Sequence, residues 1–417
     1  DIKEMKKKML NWSKQFSIFC LLDNHQYQIE PHTVECMLAA GSKRSITGSN
    51  MNSLDSLQQF INKKKSWLFG HLNYDLKNEI GLLTSSHTDH LGFPELFFFE
   101  PEYLVRLGND TIVIDADNPY QVYHDILEST PAEADFTKSI TDTNSRLSKD
   151  DYIETVRKLQ QHILRGDCYE INFCQEFFSS DALVDPLVMY EKLSIVSPNP
   201  FSALYKLNDK YLICASPERF IKKDGAHILS QPIKGTAKRS SGQREEDELS
   251  RKNLYHSQKD RSENVMVVDL VRNDLSKVCK EGTVHVDELY GVYSFPQVYQ
   301  MISTISGDLN DDISFTDIIR ATFPMGSMTG APKRSVLQLI EKYERSKRGI
   351  FSGALGYITP EQDFDFNVVI RSIMYNESNR YLSYQVGSGI TFYSDPESEW
   401  EECRLKAAAI DKVLRSN

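Results

Sequence analysis

The chain has 417 residues, 40% of them apolar and 26% charged, so it can bury a sizeable core and is not globally disordered. Its 48 basic and 59 acidic side chains leave a formal charge of −11, the wrong sign for a general nucleic-acid or anionic-membrane binder. Mean hydropathy is −0.43, and no apolar run reaches the ~20 residues of a membrane span. An anionic small molecule would need a locally positive pocket.

At ~150 residues per domain the length suggests two or three domains. The Lys-rich start, Asp1 to Lys14, has no apolar segment behind it and shows no secretory signal. Residues 1–145 read as a strand-rich, irregular region with aromatic clusters at Trp67–Gly70 and Leu96–Phe99. The polar stretch Thr130 to Ser148 is the best linker candidate, dividing this region from residues 146–417. Ser148 opens a helix, with Asp151 where a capping-box partner sits and Gly166 as its stop. Lys238 to Lys252 reads as a loop running into a helix. Pro332 suits the first position of a helix that buries Val336, Leu337, Ile340 and Tyr343. Asn367 to Met374 and Tyr381 to Val386 read as strands, Gly387-Ser388-Gly389 as the bend before Ile390, and Asp395-Pro396 as the start of a last helix. The seven cysteines are widely spaced with no Cys-x-x-Cys pair, which fits reduced thiols in cytoplasm.

Several constellations could carry chemistry. Asp260 and Glu263 share one helix face, and so do Glu399, Glu402 and Lys406. Carboxylates from two helices suit a magnesium ion, but each set alone reads more simply as a solvated helix face. Phe323 to Lys333 leads into a helix N-terminus that would welcome an anion, or is an ordinary helix start. Gly387-Ser388-Gly389 could expose amides to an anion or simply turn the chain. Lys234 lies between Ile233 and Gly235; buried in a cleft near Lys238 and Arg239, its pKa would fall and its free amine could attack a substrate. Arg371 stands in the apolar strand Val368 to Ile373 and needs an anionic partner. Asp269 to Leu275 reads as a capped helix end held by an Arg–Asp network.

In their order along the chain, these stretches resemble the chorismate-utilising enzymes: anthranilate synthase component I, aminodeoxychorismate synthase component I and the isochorismate synthases. The matching segments are Ala215–Arg219, Pro232–Thr236, Asp269–Leu275, Phe323–Lys333, Ser352–Ile358, Ile370-Arg371 and Gly387–Ala407, together covering roughly residues 150 to 410. Before them only Phe69–Asp75 matches, and faintly. The resemblance implies an α/β (α+β) fold of two facing antiparallel sheets with helices outside and a site in a cleft between them. It implies Mg²⁺ on Glu263 and Glu402, with Asp260 and Glu399 behind them. Arg371, Lys406 and the amides of Gly387, Ser388 and Gly389 would hold the carboxylates of chorismate. Ser327 and Thr329 would touch the ring, and Glu218 would protonate the departing C4 hydroxyl.

Within the family, Pro-Ile-Lys-Gly-Thr is similar to the aminodeoxychorismate synthases, in which the lysine attacks C2 as the C4 hydroxyl leaves, and ammonia then attacks C4 and expels the lysine. Anthranilate synthases usually carry Ala at Lys234, and are the alternative. Isochorismate synthases use a lysine where this chain has Glu170. Gln300 and Phe351 depart from the family's usual His and Tyr. A non-catalytic anion-binding subunit would need neither Glu218 nor Lys234. No Gly-x-Cys-x-Gly turn is present, so the resemblance implies a separate glutamine amidotransferase subunit, component II, as the source of ammonia. The Leu-Leu-Glu-Ser stretch associated with tryptophan inhibition is also missing, which argues against tryptophan control.

Overall fold

Most strands of this chain are buried on both faces, and their position in the fold explains it. In the computed structural model, residues 1–27, 34–48, 52–81, 83–130, 142–240 and 244–415 are described. Most of the expected linker lies outside them.

Among the described residues the strands form two antiparallel sheets, of eleven and ten strands. The first runs β17 (Gly330–Ala331), β9 (Glu170–Ser179), β21 (Tyr381–Ile390), β20 (Ser372–Asn376), β11 (Lys210–Ser216), β10 (Phe201–Leu207), β1 (Ile18–Asp23), β2 (Cys36–Ala40), β6 (Tyr103–Leu107) and β7 (Ile112–Asp115), with β8 (Asn144–Ser145) beside β9. The second runs β14 (Ile233–Lys238), β16 (Val298–Asp308), β13 (His227–Gln231), β12 (Arg219–Asp224), β19 (Phe364–Val368), β18 (Ala354–Ile358), β4 (Leu68–Leu72), β5 (Leu96–Glu100) and β3 (Arg44–Gly48), with β15 (His285–Ser294) beside β16. The expected pair of antiparallel sheets is present, and strands from before and after residue 145 hydrogen-bond within both.

Alternation along β1 shows how the layers are filled. Cys20 joins the cluster containing Tyr205 of the first sheet and Phe69, Phe98 and Phe366 of the second. Phe19 and Leu21 point the other way, to a cluster with Tyr152, Val156, Val336 and Ile410 from helices outside the first sheet. A strand covered on both faces loses the polar alternation of a half-exposed strand. Truncating a ring such as Phe98, fully buried between the sheets, costs about 3–5 kcal/mol.

The helices follow their sequence signals with some corrections. Ser148 caps Lys149–Leu164 by accepting from the Asp151 amide. Pro332 is the N-cap of Lys333–Tyr343 and not its first residue, so the helix starts one residue later than expected, and Tyr343 is only half-buried. The Lys-rich start is a helix, Ile2–Ser13, and Ser53–Lys63 and Pro119–Glu128 are also helical, so the first region is less purely strand-rich than it reads. Arg244 to Lys252, read as part of a loop, lies in the helix Arg244–His256. All seven cysteines are buried and unbridged. No helix among the described residues is long and apolar enough to cross a membrane.

Candidate active site

The chain crosses between the sheets twice in the same place. β11 passes into β12 through Pro217 and Glu218, and β19 passes into β20 through Val369, Ile370 and Arg371. The two crossings hold each other: the Val368 amide donates to the Glu218 carbonyl (3.0 Å), the Ala215 amide to the Arg371 carbonyl (3.2 Å), and the Ser216 hydroxyl to the Val368 carbonyl (2.6 Å). Arg371 is therefore not inside a strand, as its apolar neighbours suggest. It sits at the break between two, with φ of +51°. The Glu218 side chain is buried beside it. Burial pushes the Glu218 carboxyl up to about 7, against the pull of the Ser327 hydroxyl, the Lys234 ammonium, the Ile233 amide and Arg371.

Lys234 projects from β14 and donates to Glu170 Oε1 of β9 at 2.7 Å, joining the two sheets. The Lys234 side chain is largely and the Glu170 side chain fully buried, 12% and 3% exposed. The expected fall in the Lys234 pKa is not what the structure gives. Burial pulls it down, but Glu170, Glu263 and Glu218 outweigh burial and hold the group well above its ordinary value. Arg239, expected nearby, turns instead to Asp247 and the Phe295 carbonyl.

Gly387-Ser388-Gly389 is not a bend. It continues β21, paired with Cys174, Phe173 and Asn172 of β9. Its glycines provide space: a Cβ on Gly389 would stand 2.7 Å from Glu170 Oε1 and 2.9 Å from Lys234 Nζ. β20 pairs with β21 only from Tyr381 to Tyr384, so the other edge of this Gly-Ser-Gly stretch has no partner strand among the described residues. The Ser388 hydroxyl lies on the far face, 3.0 Å from the Tyr152 hydroxyl. Ser327 is buried close to Glu218, whereas the Thr329 hydroxyl donates to the Met325 and Gly326 carbonyls. Lys333, in the first turn of its helix, is tied to Asp274 Oδ2 (2.5 Å) and the Thr322 carbonyl. Gln300 lies across the ladder from Thr236, and Phe351 is in the core between the sheets.

The acidic side chains come from the helices Gln258–Ser276 and Pro396–Arg415. Glu263 and Glu399 are 9% and 2% exposed, so they face inward and not solvent. Burial, against the pull of Lys234, lifts the Glu263 carboxyl to about 7. Glu402 is half-exposed. Burial raises its pKa less than Lys406, Lys259 and Lys234 lower it. Lys406 Nζ donates to the Gly387 carbonyl at 2.8 Å and pairs with Glu402 at 2.7 Å.

Glu263 Oε1 and Glu399 Oε2 are buried with no hydrogen-bond partner. No group of three His, Cys, Asp or Glu side chains among the described residues closes around a metal position. Mg²⁺ does not require one, since it is usually held by one or two carboxylates with waters and substrate oxygens. The donor set therefore fits that ion.

Three contributors had no signal singled out in the sequence. Lys259 Nζ lies among Glu399 (3.3 Å), Glu263 (3.9 Å) and Glu402 (4.0 Å). Its position four residues before Glu263 on one helix was the available signal. Glu344 and Arg348 form a buried pair that ties down the site. Arg348 donates to the Met328 carbonyl (2.7 Å) and the Asn172 carbonyl (2.8 Å), while Glu344 accepts from the Cys174 amide (2.9 Å). One guanidinium thus fixes β9 against the loop carrying Ser327.

A cleft where two sheets exchange strands, lined by buried acids and bases, is the frame of a known family. The family model described as "chorismate binding enzyme" matches residues 14–412, and the chain belongs to that family of enzymes. Its relatives narrow the class. The chain is 32% identical over 352 residues to aminodeoxychorismate synthase component 1 of Salmonella typhimurium, covering 83% of this chain and 75% of that one. It is 42% identical over 270 residues to a probable chloroplastic aminodeoxychorismate synthase of rice, covering 64% of this chain and only 30% of that protein. The fold also matches anthranilate synthase component I from Streptococcus pneumoniae, with a TM-score of 0.78, 24% identity, and 93% and 94% of the two chains covered.

Proposed function

We propose that the chain is an aminodeoxychorismate synthase component I, converting chorismate and ammonia to 4-amino-4-deoxychorismate for 4-aminobenzoate and folate synthesis, with Lys234 as nucleophile. The observation that carries this is the lysine itself, inside the cleft between Glu170 and the buried Glu218. In the chemistry we propose, Arg371, Lys406 and the β21 amides meet the substrate carboxylates. Lys234 rests as an ammonium, so its proton must leave before it attacks C2, and Glu170 at 2.7 Å is the nearest acceptor. Glu218, whose carboxyl burial raises to about 7, supplies the proton to the departing C4 hydroxyl. Ammonia then forms the C4–N bond and the C2–Nζ bond breaks, returning the lysine. Glu263 and Glu402, with Asp260 and Glu399 behind them, would hold Mg²⁺, which when bound withdraws electron density from the ring carboxylate and C2.

Ammonia would come from a component II glutamine amidotransferase. The test is incubation with chorismate, Mg²⁺ and ammonium, identifying the product by mass. The 4-amino product keeps the pyruvyl group, whereas anthranilate has lost it and would overturn the assignment in favour of anthranilate synthase.

A further inference from the structure

Lys259 has no part in the chemistry above, yet it occupies the centre of the acidic cluster. Its ammonium is within 4.0 Å of carboxylates from both helices, closest to Glu399 Oε1 at 3.3 Å. Two of those carboxylates, on Glu263 and Glu399, are buried and keep an oxygen without a hydrogen bond. Buried carboxylates held close together either take up protons or keep a cation among them. The Lys259 side chain is 54% exposed, so its stem enters the cluster from the surface and can leave it by rotating its own bonds. Of the other lysines at the cluster, Lys406 pairs with Glu402 and the Gly387 carbonyl, and Lys234 is held by Glu170.

We propose that Lys259 is a resident counter-ion that the metal must displace: its ammonium and Mg²⁺ compete for the same carboxylates, so Lys259 sets the metal affinity and swings to solvent when the site loads. This rests on the magnesium reading of Glu263 and Glu402. Competition is reciprocal: whatever Lys259 takes from the affinity for metal, the metal takes from the affinity of the carboxylates for Lys259.

The test uses the full chain without substrate and Mn²⁺ as a spectroscopically visible stand-in for Mg²⁺, titrated by electron paramagnetic resonance. Lys259→Met should bind Mn²⁺ about tenfold more tightly than the parent, at the lower end of common coupling strengths. Lys149→Met is the control for net charge. Lys149 pairs with Glu397 and Glu401 on the same C-terminal helix, outside the cluster, and its removal should leave the affinity within about twofold. In the parent chain, acetylation of Lys259 read by mass spectrometry should quicken by about threefold or more at saturating Mg²⁺. This second measurement decides the matter even if Lys259→Met folds poorly.

Unchanged or weaker metal binding in Lys259→Met overturns the proposal, as does equal tightening in Lys149→Met or labelling of Lys259 that ignores Mg²⁺. Saturable binding by the parent with no effect of the variant sinks this inference alone. No saturable binding by either chain sinks the magnesium reading and this inference with it.

Discussion

Removing Lys234 should have two separable consequences. Lys234→Ala deletes the ammonium 2.7 Å from Glu170 and leaves a carboxylate that is 3% exposed without that partner. Breaking a buried pair from one side costs about 3–5 kcal/mol, because the remaining charge stays desolvated. Adding Glu170→Gln removes that charge, so Lys234→Ala/Glu170→Gln should recover about 2–3 kcal/mol relative to the sum of the single losses. Urea unfolding of the parent, both single variants and the double variant measures this coupling. A coupling below about 0.5 kcal/mol would refute the claim that the two charges are held together in a dry site. The chemical consequence is read on folded Lys234→Ala at high ammonium. The side chain leaves space beside C2, so ammonia should attack there and give the anthranilate-type intermediate in place of the 4-amino product. Formation of the 4-amino product at the parent rate would refute the covalent role, since loss of the route should cost at least tenfold, about 1.4 kcal/mol of barrier.

Gly389→Ala should lower kcat by about tenfold or more at a stability cost of about 1–3 kcal/mol, because the new methyl presses on the paired ends of Glu170 and Lys234; steady-state kinetics beside urea unfolding checks this. In metal-free buffer stability should fall as pH rises from about 5 to about 7. With its carboxyl raised to about 7, folded Glu218 keeps a proton that the unfolded chain loses near its ordinary ~4.3, and the window is worth about 3 kcal/mol. Glu218→Gln should flatten that slope without abolishing it, since Glu263 titrates in the same direction. A variant whose unfolding profile kept the full slope would remove Glu218 as its source. Finally, the purified chain should turn over with ammonium salts but not glutamine, and gain glutamine use only with an amidotransferase; glutamine-driven turnover by the chain alone would contradict this.

Which residues gather at the candidate site was more legible than what surrounds them. Lys234, Glu218, Glu263 and Arg371 stand out as charged residues beside apolar or glycine-rich segments, and the structure brings them together. What local patterns could not give was depth. Glu263 looks solvent-facing from helix periodicity, because the groups it faces, Lys234, Glu170 and Gly389, come from strands elsewhere in the chain. Val368, Val369 and Ile370 read as one strand, because residues buried on both sides carry no mark of the break at Arg371. Gly-Ser-Gly reads as a turn, yet a Cβ at Gly387 would collide with Cys174 Sγ, so the glycine serves close packing. The Lys234 pKa went the wrong way for the same reason: desolvation is visible in an apolar neighbourhood, but the carboxylate that reverses it comes from another strand.

The placement of the early strands limits how this protein can be divided. β1 closes one edge of β10, and β4 closes one edge of β18, at the ends of the sheets away from β9 and β14. A fragment beginning near residue 146 would retain every residue named for catalysis. It would also carry two freshly exposed strand edges, backed by apolar side chains such as Leu204 and Leu355 that are buried in the whole chain. Such edges recruit other strands, and so favour fibrous or amorphous association over folding. The segment carrying the proposed site is thus recognisable on its own in sequence but not separable as matter: the early residues act as edge guards for a candidate site at the other end of the sheets.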